Sequence, residues 1–171
     1  MSFLSRLLGL ERDPREALRP LWHRVVAEAR DPHWYAECRV ADTLDGRFDM
    51  VSSVLAIAML RTEQGDAHAQ DAARLAELFV EDMEGQLREA GFGDPAVGKR
   101  VGRLMSALGG RMGAYRSALT ERNDEAMTAA AARNVTFVEE GGSPACVARG
   151  LMALADRLSA LDYASVLKAD W

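Results

Sequence analysis

The chain has 171 residues, of which 49% are hydrophobic, 27% charged and only 6% aromatic. This length is typical of one domain with a substantial core, and the ordinary charged share argues against wholesale disorder. The net charge of -5 at pH 7 argues against general binding to DNA or other nucleic acids, which requires a basic surface.

The first twelve residues form an amphipathic segment. A helix from Ser2 to Gly9 would place four apolar side chains on one side, namely Phe3, Leu4, Leu7 and Leu8. The segment lacks the long apolar region and the cleavage site of a secretory signal. Because so short an amphipathic helix binds a membrane only marginally, we expect either membrane contact or packing onto the rest of the protein.

Residues 13–171 show helical periodicity throughout, with no sustained alternating pattern typical of a β-strand. Alanine, leucine, arginine, glutamate and methionine are abundant, and all are strong helix formers. We therefore predict an all-α, single-domain bundle of about seven or eight helices. Residues 39–45 are predicted to be a loop, and residues 46–64, apolar almost all round, the buried central helix.

Capping residues mark the starts of several predicted helices. A capping residue precedes a proline at four places, which are Asp13-Pro14, Asp31-Pro32, Asp94-Pro95 and Ser143-Pro144. Asn123 is a further predicted cap. The two cysteines, Cys38 and Cys146, lie far apart and match neither a CxxC motif nor a disulfide framework. Their pattern is typical of a protein in a reducing compartment.

Catalytic and metal-binding motifs are scarce. The three histidines form no HExxH pair, and the chain has neither a GxSxG nucleophile elbow nor a phosphate-binding loop. The carboxylates of Asp42, Asp45 and Asp49 come closest to a metal cluster, but helix capping and pairing with arginines is the stronger interpretation. We therefore predict no catalytic residue, metal or cofactor.

Charge is distributed unevenly along the chain. Residues 61–90 contain eight acidic and three basic residues, a net charge of -5, whereas residues 91–116 contain one acidic and five basic residues, a net charge of +4. An antiparallel helix pair with complementary flanks is one explanation. The alternative is a basic stripe that meets an anion outside the chain.

The predicted helix from Pro95 to Leu119 has two distinct faces. One is apolar, with Val97, Val101, Leu104, Leu108, Met112, Tyr115 and Leu119 at steps of three and four. The other contains only small residues at steps of four, including the groove residues Gly98, Gly102, Ser106 and Gly110. Because glycine weakens a helix but admits a close backbone, this stripe predicts either a tight internal helix pair or a docking groove for a foreign helix.

Several segments between about residues 30 and 120 resemble one protein family. The first reads Asp42-Thr43-Leu44-Asp45-Gly46-Arg47-Phe48-Asp49-Met50, similar to the D-T-x-x-G-R-F-[DE] signature of the ubiquinol–cytochrome c chaperone family. The stretch from Phe79 to Arg103 is similar to that family's F-x-D-M-D-x-x-L-R-E-x-G-x-G-D-x-x-V-x-K-[KR] block. Gly110-Arg111, Ala114-Tyr115 and the upstream Trp34-Tyr35 also have counterparts there.

The resemblance implies an assembly factor of bacterial type, not an enzyme. Family members are all-α proteins that bind newly made cytochrome b and assist biogenesis of the ubiquinol–cytochrome c reductase. It implies cytochrome b as the client, the ribosome as a further partner, and a place at the cytoplasmic face of the inner membrane. We expect client or partner contacts from Asp45, Arg47, Asp49, Lys99, Arg100, Arg103 and Arg111, with a local charge network around Arg47.

Two alternative functions are also compatible with the sequence. The basic stripe from Lys99 to Arg111 also fits an adaptor that binds ribosomes or lipid surfaces without a specific client. A helical enzyme with an isoprenoid or quinone substrate is a weaker alternative, because it would need a metal or an acid-base pair in a deep pocket.

Overall fold

The protein is described by a computed structural model over residues 13–64 and 68–171. A single 3-10 turn, Glu16–Leu18, leads into the first α-helix. The α-helices are α1 (Arg19–Ala29), α2 (Pro32–Ala36), α3 (Leu44–Thr62), α4 (Ala69–Glu89), α5 (Asp94–Thr120), α6 (Asp124–Asn134), α7 (Pro144–Ser159) and α8 (Tyr163–Leu167). The predicted all-α bundle is confirmed. The predicted helix carrying Phe3, Leu4, Leu7 and Leu8 lies outside the described residues.

Side-chain caps are found at three of the five places where the sequence predicts them. Asp31 accepts a hydrogen bond from the backbone N–H of His33 at 2.8 Å, and Asn123 and Ser143 cap α6 and α7 in the same way. Two starts differ from the prediction. After Asp13-Pro14 the chain first makes the 3-10 turn, so α1 begins only at Arg19.

The predicted cap at Asp94 is wrong. Asp94 is the first residue of α5, and the preceding Gly93 occupies the capping position without a side-chain bond. The Asp94 carboxylate instead accepts a hydrogen bond from Nε of Arg88, at 3.3 Å. Its negative charge still favours the helix start, because the amino-terminal end of a helix carries a partial positive charge.

The predicted central helix is confirmed in its middle part, which is buried on all sides, although α3 begins at Leu44, two residues before the predicted start. Every residue from 50 to 60 is buried, and α1, α4, α5 and α7 pack around it. Phe48, at its amino-terminal end, is 3% exposed and belongs to the core. Helix α3 therefore fixes the positions of the helices that surround it.

Two loops pair at one end of α3 and join distant parts of the chain. The N–H of Ala41 donates to the carbonyl of Thr136 at 2.9 Å, and Val40 and Phe137 form an isolated antiparallel bridge. A disulfide links Cys38 to Cys146 in the first turn of α7. The expectation that these cysteines do not fit a disulfide framework is wrong, because a separation of 108 residues in sequence does not set their distance once the bundle has folded.

Within residues 13–64 and 68–171, no helix combines the length and the apolar character needed to cross a bilayer.

Candidate functional site

Helix α5 is fixed to the core by its apolar face. Val97, Val101, Leu108 and Tyr115 on this face are all buried, which confirms the predicted stripe. The hydroxyl groups of Tyr115 and Ser53 on α3 are hydrogen-bonded at 3.1 Å. Burial raises the pKa of the Tyr115 phenol above its usual value, so this side chain stays neutral and serves as an anchor.

A buried ion pair forms the second attachment of α5. Nη2 of Arg111 donates to Oδ1 of Asp49 at 2.5 Å and also to the carbonyl of Asn134. Oδ2 of Asp49 accepts from the N–H of Thr136 at 3.0 Å and from its hydroxyl at 2.7 Å. The pair thus ties α3, α5 and the segment after α6 together.

The expectation that Arg111 lies on a contact surface is wrong. Only 2% of its side chain is exposed, and 20% of that of its partner Asp49. Nη1 and Nε of Arg111 have no partner among the described residues. Among these residues, only Nη2 of this buried arginine is hydrogen-bonded, and the ion pair with Asp49 fixes the side chain. We therefore assign Arg111 and Asp49 a structural role.

Asp45 and Arg47, the other predicted contact residues in the first turns of α3, form ion pairs with different partners. Oδ1 of Asp45 accepts from Arg100 on α5 at 3.4 Å. Nε of Arg47 donates to Oδ1 of Asp42 at 2.6 Å, and this bond lowers the pKa of the Asp42 carboxyl below its usual value. Arg47 thus forms a local ion pair, but with Asp42 and not with the Asp45 and Asp49 that flank it in the sequence.

The three carboxylates Asp42, Asp45 and Asp49 each meet a different arginine, which confirms the predicted pairing. In the part of the chain that the structure describes, they do not form a group that could hold a metal ion.

The small-residue face of α5 is open. Gly98, Gly102, Ser106 and Gly110 are all exposed, as are Gly109 and Gly113 on the same side of the helix. We call these six residues the open face. A Cβ atom added at any of its five glycines would meet no atom of the described chain within 4 Å. Among residues 13–64 and 68–171, no helix packs tightly against this face, contrary to the alternative of a tight internal helix pair.

The borders of the open face differ in character. Met105 and Met112 are half-buried along one border and pack against the core. Lys99 and Arg103 are exposed at the other, and neither forms an ion pair with a described residue. Flexible, polarisable methionines suit surfaces that adapt to a partner. The open face therefore combines close approach, an apolar border and unpaired positive charge.

Arg100 lies beside this face but is partly occupied. Besides Asp45, its guanidinium meets the ring of Phe92 at 4.4 Å from the ring centre. A depression between α3 and α5 has Arg100 in its wall, and its lining consists of Asp45, Phe48, Arg100, Arg103, Leu104 and Ala107. The structure thus brings Asp45, Arg100 and Arg103 together, whereas Arg47 lines a separate depression with Tyr35 and Asp42.

The basic charge of α5 is directed mainly toward α3 and not toward α4. Arg100 and Arg111 pair with Asp45 and Asp49 of α3, and Arg116 pairs with Glu63 immediately after α3. Between α4 and α5, the described residues form a single ion pair, Arg88 with Asp94. Ion pairs between α4 and α5 therefore do not account for the balance between the acidic segment 61–90 and the basic segment 91–116.

Sequence reasoning missed the residues that support the buried pair. Asn134 contributes a backbone carbonyl and Thr136 a backbone N–H as well as its hydroxyl. Backbone partners leave no residue-type signal, so no motif could have identified them.

Comparison with known proteins agrees with the resemblance seen in the sequence. The model of the family described as ubiquinol–cytochrome C chaperone matches residues 36–171. The crystal structure of the Cbp3 homolog from Brucella abortus is similar, with a TM-score of 0.75 and 31% sequence identity over 96% of this chain and 94% of that chain. No curated protein matches the chain significantly. The match over residues 36–171 spans most of the chain, which therefore belongs to the ubiquinol–cytochrome c chaperone family.

Proposed function

We propose that this protein is a non-enzymatic chaperone that binds newly made cytochrome b and assists assembly of the ubiquinol–cytochrome c reductase at the cytoplasmic face of the inner membrane. The family supports the assembly role. The observation that carries the proposal is the open face of α5, where a Cβ atom added at any of five glycines meets no described atom within 4 Å. Apolar helices of a membrane protein approach one another closely at such small residues.

The surroundings of the open face support a membrane-protein client. Met105 and Met112 offer adaptable apolar contacts at one border. Lys99 and Arg103, exposed at the other border, would be attracted to the anionic lipids around a newly inserted helix. The ion pair of Asp45 with Arg100 lies beside this surface. We assign client contact to these residues and to Gly98, Gly102, Ser106 and Gly110.

Filling the open face is the direct test of the proposal. Glutamine is a good helix former, so Gly98→Gln together with Gly102→Gln should leave the fold intact while blocking close approach. In a strain that lacks the protein, the wild-type gene should restore the reductase, measured by its b-type haem spectrum. The double variant should not, and its capture of cytochrome b should fall by about tenfold or more.

The matched control is Gly85→Gln on α4, where an added Cβ also meets nothing within 4 Å. This variant should behave like the wild type. Normal reductase levels in the deletion strain would contradict the assembly role, and full activity of the Gly98→Gln/Gly102→Gln variant would contradict the site.

A second candidate function is an adaptor that binds ribosomes or anionic lipid surfaces without a specific client. The observation that favours it is the pair of exposed cations Lys99 and Arg103, which have no ion-pair partner among the described residues. Such charges would be free to meet phosphate groups on ribosomal RNA or lipids.

Reversing these two charges tests the adaptor. For an adaptor, Lys99→Glu with Arg103→Glu should abolish co-sedimentation with ribosomes or anionic vesicles, because attraction becomes repulsion. Lys168→Glu, at the exposed end of α8, is the control and should change nothing. Unaltered sedimentation of the double variant, or sedimentation that is absent in the wild type, would rule out the adaptor.

A further inference from the structure

Three side chains that could act as metal ligands lie close together where the disulfide joins the segment after α2 to the first turn of α7. The side chains are His33, Cys38 and Cys146, and their ligand atoms all lie within 4.8 Å of one another. Nε2 of His33 is 3.4 Å from Sγ of Cys38. Cys38 is buried, Cys146 is half-buried, and the side chain of His33 is 39% exposed. The group therefore has a closed inner side and an outer side open to solvent.

The ring of His33 is oriented by Glu37, one helical turn further along the chain. Oε2 of Glu37 lies 3.1 Å from Nδ1 of His33. With its proton on Nδ1, His33 donates a hydrogen bond to this carboxylate. The lone pair of Nε2 is then directed toward the cysteine sulfur atoms. A histidine whose second nitrogen donates to a carboxylate is the usual arrangement of histidine ligands in metal sites.

Backbone contacts hold the two cysteines together independently of the disulfide. The N–H of Ser143 donates to the carbonyl of Cys38 at 3.0 Å, and the hydroxyl of Ser143 accepts from the N–H of Cys146 at 3.3 Å. Cys146 also lies in the first turn of α7, where the helix dipole favours a negative charge. After reduction, the two sulfurs would therefore stay close to each other.

The geometry points to a zinc site formed by Cys38, Cys146 and His33 when the disulfide is reduced. Zinc prefers tetrahedral sulfur and nitrogen ligands at about 2.0–2.3 Å, and a site with three protein ligands keeps its fourth position for water. The solvent-exposed side of His33 gives that water access. The same two cysteines thus have an oxidised form, the disulfide, and a reduced form, the zinc thiolates.

Two steps convert the disulfide into the zinc thiolates. A dithiol reductant breaks the S–S bond, and the two cysteines gain two electrons and two protons while the reductant becomes a disulfide. Zn²⁺ then displaces the two thiol protons, which pass to water, and Nε2 of His33 supplies its lone pair.

Metal titration of the full-length protein tests the proposal, with Zn²⁺ and with Co²⁺ as a spectroscopic probe. The dithiol-reduced protein should bind one ion per chain and give the Co²⁺ spectrum of a tetrahedral thiolate site, whereas the oxidised protein should not. Removing the carboxylate, Glu37→Ala, should weaken zinc binding by about 10- to 100-fold. His33→Ala should weaken it at least as much.

Both variants keep the two cysteines, so they are expected to fold with the disulfide intact. His23→Ala, which removes an exposed histidine on α1, is the matched control and should bind zinc like the wild type. The proposal is overturned if the dithiol does not reduce the folded protein. It is equally overturned if reduced and oxidised protein bind zinc alike, or if His33→Ala leaves the affinity unchanged.

Discussion

Replacing Asp49 by alanine is expected to lower the free energy of unfolding by about 3–5 kcal/mol, the cost of leaving one member of a buried ion pair alone. Arg111 is 2% exposed and would keep its charge without a counterion. The two hydrogen bonds from Thr136 to Oδ2 of Asp49 would also be lost. Urea-induced unfolding followed by circular dichroism measures the loss.

Two further variants define what the buried pair contributes. Arg111→Met should cost less than Asp49→Ala, because it removes the buried charge while Asp49 keeps Thr136 and some contact with water. Asp42→Ala breaks the exposed pair with Arg47, whose side chains are each 60% exposed, and should change stability little. If Asp49→Ala were no more harmful than Asp42→Ala, the structural role of the buried pair would be refuted.

Gly46→Ala is expected to destabilise the protein by about 3 kcal/mol or more, at or beyond the upper end of the usual range for overpacking. A Cβ atom at position 46 would lie 2.0 Å from the carbonyl oxygen of Ala41. That oxygen belongs to the backbone of the loop before α3, so no side-chain rotation relieves the clash. The loop itself would have to move away from the helix, and the midpoint of urea unfolding reports the cost.

Gly102→Ala is the matched control for the Gly46 prediction. Its added methyl group meets no atom of the described chain within 4 Å, so only the helix preference of alanine acts. The variant should gain up to about 1 kcal/mol of stability. Equal effects of the two substitutions would show that Ala41 does not restrict position 46.

The bundle and its central helix could be predicted from the sequence because their signals are local. Helical periodicity defined the apolar face of α5, and the charge-free stretch from Met50 to Leu60 defined the buried part of α3. The prolines at residues 32 and 144 follow side chains that do cap α2 and α7. Such signals depend only on neighbours within one or two turns, so the structure adds little to them.

The candidate site could be predicted only in part, because the burial of its residues depends mainly on partners that are distant in sequence. Arg111 and Lys99 carry the same charge on the same helix, yet one is buried and the other exposed. The burial of Arg111 depends on its contacts with Asp49 and with the backbone of Asn134, which lies 23 residues further along the chain. The disulfide was missed for the same reason. Gly46 belongs to a motif that the sequence shows. The requirement for glycine at this position, however, depends on the path of the loop before α3.

The burial of α3 on every side has a consequence for the order in which this protein is made. Helix α3 ends at Thr62, whereas α7, which covers one of its sides, ends at Ser159, about a hundred residues later. At a synthesis rate of about 5–20 residues per second, α3 remains without its full cover for about 5–20 s. During that interval the apolar surface of α3 is open to other nascent chains, so this chaperone is itself vulnerable to aggregation before it is complete.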